Sequence, residues 1–390
     1  MTTAGESKQY DGLLIIRALA SLTVIWAHSY AGHLVVAGHL ISQFIYPSGE
    51  LAVFIFYLIS GYTIGSGFAS GKYRLTGPSL IRYYINRILR IVPLYYFVVI
   101  LNILIFNHNV PITSSQLFQI FTFTANVPNN AYIGLYPLSM ISTLMQFYLV
   151  APIVFVIIKW CLKMIPVWFT GYLIFMLGAI VRLFLFFHGS QDYMSWFSST
   201  YITVIGNIDL FLFGTLLAIM VRQTPGKDVV GSKIRKIIKF FPLVVGVWYV
   251  WGNYLTYYMT DFGKYDQVKY QLLFALPPAT ALVIGLLIYY IAIRRVDAFV
   301  PVSKPKDVMK LLVHPKYFLF ALGTLSWGMY VWHYPVLNYL FYGTNAEFSL
   351  QAALFRYIVA GILTTLLSLV TYIGIEYPMS KLKVLIQKTG

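Results

Sequence analysis

Ten long apolar stretches divide the 390-residue chain: Leu13–Tyr30, Leu51–Phe68, Ile91–Phe106, Leu138–Ile158, Val167–Phe187, Tyr201–Val221, Phe240–Tyr257, Leu272–Ile293, Tyr317–Phe341 and Ala352–Ile375. Most reach or approach the roughly 20 residues a helix needs to cross hydrocarbon. Backbone polar groups in lipid must be bonded internally, which predicts helices. Ile91–Phe106 is short alone, but the helix-compatible Ser79–Arg90 before it extends it into the interface. Polar interruptions are brief. The largest, about Arg222–Lys239 and Arg294–Lys316, read as basic connectors. The pattern predicts an all-α polytopic membrane protein: one domain over residues 1–390, a bundle of about ten transmembrane helices.

Composition agrees. Charged residues are 10% of the chain and hydrophobic residues 59%, where a soluble domain carries roughly 25% charged. A net charge of +16 points to nucleic acid only if its location is ignored. Lys264, Lys269 and Arg356 fall on one side of the alternating spans, and Arg17 and Arg182 lie within segments. The other Lys and Arg of the 28 fall on the opposite side. The positive-inside rule then places both termini in the cytoplasm, and an even number of spans agrees. Membrane lipids, not nucleic acid, are the expected partners. The 32 tyrosines suit interfacial anchoring. The single cysteine, Cys161, rules out an intrachain disulfide framework. The short polar N-terminus and Arg17 in the first apolar run argue against a cleavable signal peptide. No internal repeat of the kind seen in many transporters is visible.

The first segment carries Arg17 and His28. Ionisable residues within a membrane-length segment are expensive and point to function. Eleven helical steps return His28 to within roughly 20° of the Arg17 face, about 16 Å further along the axis. One face thus holds a fixed cation towards the cytoplasm and a titratable base in the outer half. The plainer reading is that both snorkel as interfacial anchors. His333, in Leu322–Pro335, falls at a depth similar to that of His28, which favours a shared site. No further Cys, His or carboxylate lies near them at ligand spacing, so no metal is expected. Asp209 has to pair with a cation or stay protonated; a packing hydrogen bond near Asn207 is the bland alternative. Arg87 and Arg90 are i, i+3 and share a face. Two guanidinium groups there suit a phosphate-bearing ligand, although on spacing alone ordinary positive-inside anchoring is the favoured account. Glu376 closes the last segment.

Several of these stretches together resemble the membrane acyltransferase-3 family. Tyr10–Ala20 followed by His28 resembles its opening arginine, ten residues, histidine. Ala52–Tyr62 resembles its phenylalanine-rich run ending in Ser-Gly-aromatic. Arg87-Ile-Leu-Arg90 with Pro93 is similar to its Arg-x-x-Arg motif, and Gln146–Leu149 to its Gln-Phe-Tyr-Leu. Leu322–Pro335 resembles its Trp-His-x-Pro segment, and Glu376-Tyr-Pro378 its Glu-x-Pro ending. The match runs in order along essentially the whole chain. It departs at Leu144, where the family usually has glutamate, and at Phe54, where many members are acidic. Asp209 and Glu50 are the candidate substitutes for the missing carboxylate.

The resemblance implies an integral-membrane O-acyltransferase, most simply an acetyltransferase, in a bacterial inner membrane. Its donor substrate would be acetyl-CoA or another acyl-CoA, with no permanently bound cofactor. Its acceptor would be a surface glycan, such as lipopolysaccharide, or a lipid-linked sugar. The donor phosphates would meet Arg87 and Arg90, with Arg17 holding its upper part. His28 would act as base or acyl carrier, His333 and Asp209 would join the catalytic set, and Ser60, Tyr148 or Tyr330 would stabilise the oxyanion. Two other readings stay open: a carrier or flippase for an anionic or glycan-linked lipid, and a catalytically silent family member.

Overall fold

The structure is a computed structural model describing residues 12–29, 48–106, 112–125, 136–189, 192–223, 239–260, 265–294, 304–341 and 350–388. Both termini, including Tyr10 and Asp11 of the opening motif, lie outside the described residues. So do most of the Arg222–Lys239 connector and part of Arg294–Lys316.

There is no strand among the described residues, and each apolar stretch holds a helix. These are α1 (Leu13–Ser29), α2 (Gly49–Ala69), α3 (Gly77–Leu101), α4 (Ser139–Met164), α5 (Val167–His188), α6 (Ile208–Gln223), α7 (Phe241–Thr260), α8 (Leu276–Arg294), α9 (Phe318–Phe341) and α10 (Leu350–Thr371). The third stretch is extended as its flanking sequence suggested, from Gly77 through a π turn to Phe106. Among the described residues, six helices are long and apolar enough to cross a membrane: those covering α2, α3, α4, α5, α8 and α10. A seventh crossing results if Pro305–Leu312 and Pro315–Phe341, bent by 115°, count as one span. This is fewer than the ten read from the sequence. Helices α1 and α6 have 17 and 16 residues, a rise of about 25 Å against a hydrocarbon core of roughly 30 Å. Helix α7 is diluted by Tyr, Trp and Asn253. The sixth stretch is helical only from Ile208. Before it, Asn207 Nδ2 reaches the carbonyls of Thr200, Tyr201 and Thr203 at 2.8–3.0 Å, holding a π turn and a bend.

Two close helix pairs form the centre. Helices α2 and α6 meet at glycine: a Cβ on Gly61 would lie 2.2 Å from the Phe211 carbonyl oxygen, and one on Gly214 2.2 Å from that of Leu58. Small residues let backbones approach where lipid supplies no hydrophobic drive between helices. Helices α1 and α9 meet where a Cβ on Gly323 would lie 2.0 Å from Leu14 O. Further along, Ser21 Oγ donates to Ser326 O at 3.4 Å, and then His28 faces His333. These contacts advance together in both chain segments, so α1 and α9 run parallel. Helix α10 returns antiparallel to α9, with Phe341 near Phe355 at the turn end and Gly328 against Ser368 further away.

Pro152 in α4 has no N–H to offer the Tyr148 carbonyl one turn earlier. Tyr83 Oη donates to that carbonyl at 2.9 Å, and Tyr84 Oη to the next, Leu149, also at 2.9 Å. A gap in one helix's hydrogen bonding thus clamps α3 onto α4 beside Arg87.

Candidate functional site

One cavity is walled by α1, α2, α3, α4 and α9. Arg17 of α1 lines it together with Arg87 and Arg90 of α3. The Tyr83 clamp fixes the approach of α3, and the Arg87 guanidinium lies 5.9 Å from the Tyr83 ring and 5.8 Å from the Tyr148 ring. Arg87 also donates to Tyr73 Oη at 3.5 Å, while its buried Nε has no hydrogen-bond partner. Glu376, in the π turn after α10, is close enough to act electrostatically on Arg90 and Arg17. Lys383, one helical segment on, adds positive charge towards Arg87 and Arg90. A cavity edged by three guanidinium groups favours an anion, because charge-assisted hydrogen bonds to phosphate are the strong ones.

The histidines lie further along α1 and α9. Their ring centroids are 5.1 Å apart, and Tyr334 meets His28 edge-on at 5.5 Å. His333 is fully buried, whereas His28 is half-buried. His333 Nδ1 lies 2.6 Å from Tyr330 O. A carbonyl can only accept, so Nδ1 carries the hydrogen and the neutral ring keeps its lone pair on Nε2. That Nε2 is buried and has no partner. Tyr330 connects the two parts of the site: it lines the arginine cavity, and its ring centre is 5.4 Å from that of His333. Its hydroxyl donates to Pro137 O, tying α9 to the turn before α4.

Five of the six sequence-derived candidates therefore fall into two adjacent groups: Arg17, Arg87 and Arg90, then His28 and His333. Asp209 belongs to neither. It is fully buried between α5 and α6, where Arg182 grips both its oxygens at 2.9 and 2.8 Å. Arg182 also donates to Gly206 O at 3.0 Å. One turn before Arg182, a Cβ on Gly178 would lie 2.6 Å from Asp209 Cγ, so glycine makes room for the pair. The cation Asp209 needed is thus Arg182, not a histidine. Glu50 accepts from Ser48 Oγ at 3.2 Å and Thr256 Oγ1 at 3.1 Å, a buried polar knot at the start of α2. Among the described contacts, neither carboxylate meets a histidine.

Leu144 lines the cavity, so the usual glutamate position presents an apolar wall. Phe54 packs against Tyr201. Ser60 and Tyr148, read as oxyanion donors, also line the cavity. Sequence reasoning passed over Ser326 and Trp327. Both line the cavity, and Ser326 Oγ and Trp327 Nε1 are buried without partners. The available signal was their position one to two turns before His333. Among the described residues, no three His, Cys, Asp or Glu side chains converge as a metal site.

A family profile described as an acyltransferase domain matches residues 10–373, nearly the whole chain. The chain belongs to the acyltransferase-3 family. The match takes in both histidines and all three arginines of this acyltransferase-3 site, and ends three residues before Glu376. No curated protein and no solved structure matches the chain.

Proposed function

We propose that this acyltransferase-3 protein is a membrane O-acyltransferase, acetyl-transferring by preference. It takes the acyl group from cytoplasmic acyl-coenzyme A and delivers it to a hydroxyl of a surface or lipid-linked carbohydrate at a bacterial inner membrane. The observation that carries this reading is the course of the site. One cavity gathers three arginines and is lined also by Tyr330, whose ring lies beside the histidine pair. In this reading the chain crosses the membrane ten times with both termini inside. The parallel course of α1 and α9 agrees with that alternation.

The donor's phosphates bind Arg87 and Arg90, and Arg17 holds the donor deeper in. About 16 Å separates Arg17 from His28 along α1, a distance only a long, thin thioester-bearing arm covers. His28, half-buried, takes the proton from the acceptor hydroxyl. The oxygen attacks the thioester carbonyl. The tetrahedral intermediate collapses with loss of the thiolate, which recovers the proton from the imidazolium. Hydroxyls among Ser60 and Tyr148 stabilise the oxyanion; that of Tyr330, the third candidate, is committed to Pro137 O. His333 lies behind His28.

Membranes containing the protein, supplied with acyl-labelled acetyl-CoA, are expected to move label onto surface glycan. A carrier leaves the label on the thiol. A second reading, a silent family member, is favoured by Leu144 in the cavity wall; it predicts neither hydrolysis nor transfer.

A further inference from the structure

Cavities that hold anions need only cations, yet this one also contains uncharged donors. Trp327 Nε1, which can only donate, and Ser326 Oγ are both buried and have no partner in the protein. Their side chains are adjacent on α9, one turn before Tyr330 and two before His333. They lie between the guanidinium groups and the imidazoles, in the stretch the donor has to cross. Leaving a buried donor unpaired is costly. A ligand carbonyl that reaches such a donor removes the cost of leaving it unpaired.

We propose that Trp327 and Ser326 bind the amide carbonyls of the acyl donor's arm, and so require a donor whose arm is peptide-like rather than purely hydrocarbon. The inference rests on the donor reading above and names its recognition chemistry. The dimensions agree. From Trp327 to His333 α9 rises about 9 Å. The arm of coenzyme A carries two amide units between sulfur and pyrophosphate, each roughly 4–5 Å long by peptide dimensions when extended. A thiol at the histidines therefore brings the amides to the level of Trp327 and Ser326 and leaves the phosphates towards the arginines. The rest of the wall, including Ile59, Met140 and Leu144, is apolar and suits the methylene groups between the amides.

The test is equilibrium binding of labelled coenzyme A and of adenosine 3′,5′-bisphosphate, which keeps phosphates but lacks the arm, to purified full-length protein. Trp327→Phe keeps an aromatic ring and removes the N–H; Ser326→Ala removes the hydroxyl. Each is expected to weaken coenzyme A binding about three- to tenfold, the range for one neutral hydrogen bond. The affinity for the bisphosphate should stay within twofold, which also reports that the variant is folded. Equal loss for both ligands, or undiminished coenzyme A binding in both variants, overturns the assignment. Failure of the wild-type protein to bind coenzyme A at all overturns the donor reading itself.

Discussion

Asp209 was a catalytic candidate from sequence, and its pairing with Arg182 allows a decisive experiment. Asp209→Asn strands a guanidinium that is 1% exposed and held by two carboxylate contacts of 2.8 and 2.9 Å. Breaking one partner of a buried pair typically costs about 3–5 kcal/mol, because the other charge is left uncompensated. For a large domain, that lowers the unfolding midpoint by on the order of 10 °C. Replacing both partners by apolar residues of similar volume, Arg182→Met with Asp209→Leu, removes the stranded charge and is expected to recover most of that loss. Thermal unfolding of purified protein in detergent, run beside acyl transfer at matched protein level, separates the roles. If the pair is structural, activity follows stability: low in Asp209→Asn, restored in the double variant. A double variant that unfolds at the wild-type temperature but transfers no acyl group would refute the reasoning and return Asp209 to the chemistry.

Three further outcomes follow from the geometry. Gly61→Ala places a Cβ 2.2 Å from the backbone oxygen of Phe211; two backbones must separate, so a loss of about 1–3 kcal/mol or more is expected. Gly246→Ala, which meets nothing within 4 Å, is its neutral control in the same melting assay. Arg87→Ala with Arg90→Ala should raise the apparent donor constant tenfold or more, at about 1.5–3 kcal/mol per charge-assisted contact; unchanged donor dependence at normal protein level makes them membrane anchors. His28→Ala, His28→Gln and His28→Tyr should each lower acyl transfer roughly 10²–10⁴-fold, measured as acyl content of surface glycan; near-normal content in all three transfers the role of base to His333.

The ten apolar stretches were legible as helices because hydrophobicity alone sets them. What it could not set was length: α6 loses the start of its stretch to the Asn207-braced bend, a feature of three carbonyls and one amide that no hydropathy pattern registers. The arginine and histidine candidates were legible because a charged or titratable group in an apolar run stands out. Ser326 and Trp327 did not stand out, being ordinary membrane-helix residues whose importance lies in lacking partners. Asp209 was read as needing either a cation or a retained proton, and the structure supplies the cation. Its partner Arg182 is 27 residues away on α5, and only the packing of α5 on α6, with Gly178 between, selects it.

The parallel pairing of α1 and α9 links the packing to the chemistry. Each helix alone carries a polar track: Arg17 to His28 on one, Ser326 to His333 on the other. Neither track is a site until their registers agree. That register is fixed at Gly323, where the backbone of α9 comes so near Leu14 O that no side chain fits. A slip of one turn moves one helix by about 5.4 Å, as large as the 5.1 Å that separates the two imidazoles. It would also shift Trp327 and Tyr330 relative to Arg17 by the same amount. A glycine some ten residues from His333, touching no substrate, is therefore what makes two histidines on distant segments into a pair.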